Sequence, residues 1–202
     1  MGRQNRAPPM NAFSDSLALA GQLIVHADAV LLRIVGLSLQ VSGTACALGA
    51  VLGLALGGWL AVAHFRGISL VVGTLNTLLA LPSVVVGLIV YLLLSRSGPL
   101  GSWGILFTPK AMVIAQSILV VPLIAALSRQ LVVDAMREGG EELRAMGAGR
   151  SLCALLMLVH ERRAVLTVLL TAFGRAVAEV GAVMVVGGNI DGVTRVMTTA
   201  IA

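Results

Sequence analysis

Long apolar runs, separated by short polar islands, set the plan of this chain. Ile34 to Ala63 carries no charged side chain, and neither does Gly67 to Ser95. Ala111 to Ser128 and Ala164 to Gly187 are again apolar, the last with Arg175 and Glu179 inside it. A bilayer core is crossed by about 20 apolar residues in a helix. The pattern therefore predicts four spans, about 34–63, 67–95, 111–128 and 164–187. Residues 1–16 are polar and frayed in expectation, and 17–33 are apolar but interrupted by Gln22, His26, Asp28 and Arg33. That stretch predicts an interfacial helix. The domain reading is a tail and interfacial helix over 1–33 and a transmembrane domain over 34–202.

The largest polar island is 129–163. Its core reads REGGEELRAMGAGRSLCALLMLVH from Arg137 to His160. A polar helix of that length is held in water, so the island predicts a short helix presented to a soluble partner. Residues 188–202 form a loop on the opposite side. Inside the first span Ala45, Gly49, Gly53, Gly57 and Ala61 recur at every fourth position. That register lines small residues along one face, where another helix backbone approaches closely. In the second span Pro82 removes a backbone hydrogen bond and predicts a kink, with Asn76, Thr77 and Ser83 beside it. The third span holds Gln116 and Pro122.

Composition sharpens the membrane reading. Of 202 residues, 58% are hydrophobic and 11% charged, and the mean hydropathy is +0.99. Soluble domains carry about 25% charged residues. The net charge of +5 does not indicate nucleic acid, because the basic residues sit at the ends of apolar runs. Cys46 and Cys153 lie in apolar surroundings and read as core residues without metal-ligand spacing. The phosphate-binding loop needs Gly-Lys followed by Ser or Thr, and Lys110, the sole lysine, follows Pro109. No nucleotide site, catalytic set or metal site is expected in this chain.

The island also carries a motif. Glu141, Gly147 six residues on and Met157 ten beyond that resemble the signature of ABC importer permeases. That signature is Glu-Ala-Ala, three residues, Gly, nine residues, Ile, one residue, Leu-Pro. Here Glu142 and Leu143 replace the alanines, Met157 the Ile, Val159 the Leu and His160 the Pro. The resemblance extends to Leu81-Pro82 with Val84 to Leu88, Tyr91 to Gly101, Phe107-Thr108-Pro109 and Ala111 to Gln116. It continues through Ala172 to Met184, Gly187 to Ile190 and Thr194 to Ile201. From about residue 34 onward the chain resembles permeases of the tungstate and molybdate type.

That resemblance implies an all-α membrane bundle of the ABC importer permease fold, working as a homodimer in the bacterial or archaeal inner membrane. It implies a cytoplasmic ATPase partner that binds ATP, and an external oxyanion-binding protein. Basic residues divide almost evenly between the two sides, so the resemblance sets the orientation: island in the cytoplasm, N-terminus outside. The family core has five spans, so a missing fifth helix is expected. A scaffold that does not transport, or a permease for another small anion, are the competing readings. The island becomes the coupling helix, with Ala145, Gly147 and Ala148 as slender contacts and Glu141 fixing register. Asn76, Thr77, Ser83, Gln116, Arg175 and Glu179 are pathway residues in expectation. Arg175 and Glu179 are four apart, so a helix places them on one face. They are expected to form a structural ion pair, with a cation beside the anion pathway as the alternative.

Overall fold

A computed structural model describes residues 29–201, and the expected polar tail and most of the expected interfacial helix lie outside the described residues. The described chain is helical throughout its regular elements. The helices are α1 (Ala29–Val62), α2 (Ile68–Leu79), α3 (Ser83–Leu94), α4 (Pro109–Ala145), α5 (Arg150–His160), α6 (Arg162–Val177), α7 (Gly181–Gly187) and α8 (Met197–Ile201). Two of them, α1 and α4, are each long and apolar enough to cross a membrane. The pairs α2–α3 and α6–α7 pass the same test only when each is taken as one bent unit. The protein is an all-α, multi-pass membrane bundle.

The small-residue register in α1 does what its spacing predicts. A Cβ added at Gly49 would lie 2.7 Å from Val120 Cγ1, and one at Gly53 would lie 2.8 Å from Ile124 Cβ. At Gly57 it would strike Ser128 and the Ala125 carbonyl. Each contact is offset by the same number of positions, so α1 and α4 run parallel and in step. The Ser128 hydroxyl donates across the seam to the Gly53 carbonyl at 3.4 Å. With Leu60, Val120, Ile124, Ala125 and Val132 all at or below 1% exposure, this seam is the centre of the core. Parallel helices must be joined by a returning segment, and α2–α3 is that segment.

That return is sharper than a proline kink. The axis turns 99° between α2 and α3, where the sequence predicts one bent helix over 67–95. Ala80 and Leu81 donate backwards to Thr77 and Leu78, closing α2 in a tightened turn. Pro82 then opens α3 from an extended conformation, φ −61° and ψ 128°. The fourth span is also divided. It bends by 53° between α6 and α7, at Ala178–Val180, where no proline stands. The island departs from expectation in the opposite sense. Residues 129–145 are not a separate loop helix but the continuation of α4, which stays helical through Pro122. Helix α1 begins no later than Ala29, so Ala29 to Arg33 belongs to the first span.

Candidate functional site

The tip of the bundle is the turn between α4 and α5. Helix α4 ends in a Schellman arrangement. Gly147 N–H donates to the Arg144 carbonyl at 2.9 Å and Ala148 N–H to the Leu143 carbonyl at 3.0 Å. Gly147 has φ +83°, a left-handed conformation that costs an L-residue about 1–2 kcal/mol. No atom lies within 4 Å of where its Cβ would be. Backbone conformation, not crowding within this chain, therefore selects glycine here. Glu141, Ala145 and Gly147 are exposed and Ala148 is half-buried. The turn is braced from beneath, where buried Cys153 donates its thiol to the Ala148 carbonyl at 3.5 Å. A groove of about 470 Å³ runs beside the tip between the end of α4 and α5. Glu138, Glu142, His160 and Glu161 rim it, with Leu143 and Met157 below.

The two helix breaks form a second polar region, deep in the bundle. The half-helices α3 and α7 are pressed together there. A Cβ at Gly87 would lie 2.7 Å from Ala182 Cα, and one at Gly181 would lie 2.9 Å from Ser83 Oγ. Breaking α6–α7 frees backbone carbonyls, which lipid cannot satisfy. Side chains from distant positions satisfy them here. Gln116 Nε2 on α4 donates to the Ala176 carbonyl at 2.9 Å. Thr198 Oγ1 on α8 donates to the Glu179 carbonyl at 2.9 Å. The Glu179 carboxylate in turn accepts from Ala182 N–H at 3.2 Å, capping α7.

The expected ion pair between Arg175 and Glu179 does not form. Helical i to i+4 geometry ends at Val177, and Glu179 stands in the break. Glu179 turns inward and is 6% exposed, whereas Arg175 lies on the exposed side of α6. Ion pairs among the described residues are Arg137 with Asp134 and Arg195 with Asp191, and His160 Nε2 lies 4.0 Å from Glu161 Oε1. Of the expected pathway residues, the fold brings Gln116 and Glu179 to one small cavity. Ser83 is half-buried at the neighbouring break, while Asn76 and Thr77 are exposed on α2. The Thr77 hydroxyl turns back to the Gly73 carbonyl at 2.9 Å.

Sequence reasoning missed Ser38, Ser42 and Thr198. Ser38 and Ser42 are four apart on α1, a spacing that places both on one buried face. Ser38 Oγ accepts from Met197 N–H at 2.7 Å, fastening α8 to α1. The run Met197-Thr198-Thr199 was a second available signal. Its hydroxyls serve as caps and latches, as Thr199 does for Val196 N–H at 3.0 Å.

No protein-family model matches the chain. Individual relatives do. Over 194 residues it is 41% identical to the tungstate uptake system permease protein TupB of Peptoclostridium acidaminophilum, covering 96% of this chain and 85% of the relative. The chain belongs to the ABC transporter permease family. The permease is also 43% identical over 176 residues to a probable anion ABC transporter permease protein of Haloferax volcanii, covering 85% and 76% of the two chains. It is 30% identical over 195 residues to the sulfate transport system permease protein CysW of Escherichia coli K12, covering 92% of the permease and 65% of that relative. The permease is therefore a membrane-spanning transporter component.

Proposed function

We propose that the permease imports tungstate, or a closely related tetrahedral oxyanion, across the cytoplasmic membrane. Two copies form the channel, a cytoplasmic ATPase docks at the tips, and an external binding protein delivers the anion. ATP is bound by the ATPase partner and not by this chain. The observation that carries the reading is the tip. Glu141, Ala145 and Gly147 are displayed at the end of a single 37-residue helix that packs in step with α1. A push on such a tip is transmitted along α4 as a rigid element, and the bent pairs supply the joints about which access alternates. Relatives named for tungstate and for anions support the choice of solute.

Arg175 has a pathway role in this reading. It lies about midway along the bent pair α6–α7, it is exposed, and the ion pair expected for it is absent. A charge at membrane depth faces protein or water, since burial in lipid costs about 2.5–3.5 kcal/mol on insertion scales. We place it on the water-filled pathway between the two copies, where a guanidinium attracts an oxyanion. Glu179 and Gln116 hold the joint and do not contact the solute.

The test is reconstitution of the permease with its ATPase and binding protein in proteoliposomes. ATP-driven tungstate uptake is expected, with no ATP hydrolysis by the permease alone. Arg175→Gln is expected to leave assembly and basal ATPase activity intact and to lower uptake about tenfold or more. Normal tungstate uptake by that variant removes Arg175 from the pathway. Sulfate or phosphate uptake in place of tungstate overturns the choice of solute.

A further inference from the structure

Four segments meet at the α6–α7 joint around a cavity of about 10 Å³. Its polar lining is Ser38 and Ser42 from α1, Gln116 from α4, Glu179 from the break and Thr198 from α8. Glu179 and Gln116 are only 6% and 3% exposed. No Lys, Arg or His nitrogen among the described residues lies within 4.0 Å of the Glu179 carboxylate. The orientation of the Gln116 amide follows from its neighbour. Nε2 must face the Ala176 carbonyl, to which it donates at 2.9 Å. Oε1 is then the atom left for the cavity, and it is buried without a hydrogen-bond partner.

All but one of the donors facing this cavity are committed elsewhere. Ser38 gives its hydroxyl hydrogen to the Ile34 carbonyl at 2.9 Å. Thr198 gives its hydrogen to the Glu179 carbonyl. Ser42 keeps the one uncommitted hydroxyl hydrogen among these lining side chains. What remains is a carboxylate, an amide oxygen and hydroxyl lone pairs, together one positive charge short. A buried carboxylate left unpaired is strongly unfavourable. A water fits the volume and supplies hydrogens, but leaves the charge. A proton on Glu179 removes the charge and is the competing occupant, which the sodium and pH dependence of stability distinguishes. A single small cation answers both needs.

We propose that this cavity binds one monovalent cation of sodium size. Its ligands are the Glu179 carboxylate, Gln116 Oε1 and the hydroxyl oxygens of Ser42 and Thr198. Calcium takes six to eight oxygens and magnesium a near-ideal octahedron, more than one carboxylate in a one-water space offers. The ion ties α1, α4 and α8 to the break in the fourth span. It sets the rigidity of that joint and does not depend on which solute is carried.

The experiment uses the full permease in lipid nanodiscs, in chloride salts of sodium, potassium or choline at equal ionic strength. Unfolding is followed by tryptophan fluorescence. Sodium at a hundredfold excess over its dissociation constant is expected to raise Tm above the choline value by about 5 °C or more. Potassium is expected to give less than half that shift. Glu179→Gln is expected to abolish the sodium effect. Ser42→Ala and Gln116→Met are expected to weaken the apparent sodium affinity about tenfold or more, and they carry the test if Glu179→Gln does not fold. Equal Tm values in sodium and choline overturn the site, as does a sodium effect that survives unchanged in the folded variants. A stability that follows pH but ignores sodium assigns the missing charge to a proton and overturns it equally. Equal shifts in sodium and potassium overturn the choice of ion. Uptake is not the readout, so failure here is distinguishable from failure of the tungstate reading.

Discussion

Helix α1 with α4 and the bent pairs α2–α3 and α6–α7 solve the same problem in opposite ways. Each must carry a backbone through an apolar layer with its hydrogen bonds satisfied. The α1–α4 seam does so with unbroken helices that touch through Gly49, Gly53 and Gly57. Nothing polar is required of it beyond the Ser128 bond to Gly53. The bent pairs interrupt their helices, and the fourth span then recruits Gln116, Glu179 and Thr198 to occupy the freed groups. Close packing makes a strut, and interruption makes a joint held by a few exchangeable polar contacts. A transporter driven from one end needs both, since a rigid lever without a joint transmits force but opens nothing.

The strut is the place to look for the largest loss. Gly53→Leu puts a Cβ 2.8 Å from Ile124 Cβ and 3.1 Å from the Val121 carbonyl, so the two backbones must part. A cost of about 3 kcal/mol is expected, enough to remove most folded protein. Gly36→Leu on the same helix meets nothing within 4 Å and is expected to be nearly neutral. Size-exclusion chromatography after detergent extraction separates the two outcomes. Equal recovery of both variants would mean that the seam is not the rigid part.

At the joint a smaller and asymmetric effect is expected. Glu179→Leu removes the cap on α7 and leaves Ala182 N–H without its acceptor. It is expected to cost about 2 kcal/mol. Arg175→Leu is expected to cost little in folding, because Arg175 is exposed and has no ion-pair partner among the described residues. The double mutant is expected to match the sum of the singles to within about 0.5 kcal/mol. Rescue of Glu179→Leu by Arg175→Leu in a thermal-unfolding assay would restore the ion pair that the i to i+4 spacing suggests.

What was legible in the sequence divides along the same line. The strut could be read directly, because Gly49, Gly53 and Gly57 state their face by local spacing. The turn that closes α4 falls at Gly147, a glycine in the left-handed conformation. The joint could not be read this way. Pro82 announces a bend but not its 99° extent, which is set by how α3 seats Gly87 against Ala182. The break at Ala178–Val180 carries no proline at all. Its stability comes from Gln116 and Thr198, residues 60 and 19 positions away from their partners, and such pairings have no local signature. The helical assumption that put Arg175 and Glu179 together failed at that same break. The charges of the island mark the end of the apolar run but not of the helix, because Glu, Arg and Ala sustain α4 to Ala145.

The smallest effect on folding is expected at the tip, where shape for a partner and backbone conformation must be told apart. Gly147 is left-handed and open to solvent. Gly147→Ala therefore pays conformational strain, about 1–2 kcal/mol, confined to one exposed turn. Gly147→Asn pays less, since Asn tolerates the left-handed region. Gly147→Trp adds bulk to the same strain. If the tip serves only to close α4, the loss of uptake tracks backbone strain, with Ala and Trp alike and Asn milder. If an ATPase groove receives the tip, Trp abolishes ATP-driven uptake while folding falls only as far as it does for Ala. Unfolding temperature and uptake, measured on all three variants in the assembled transporter, give two independent rankings. Divergence of those rankings at Trp is the expected result. Agreement between them across the series would reduce Gly147 to a helix cap and move the ATPase contact elsewhere, with the acidic groove at Glu138, Glu142 and Glu161 the next surface to mutate.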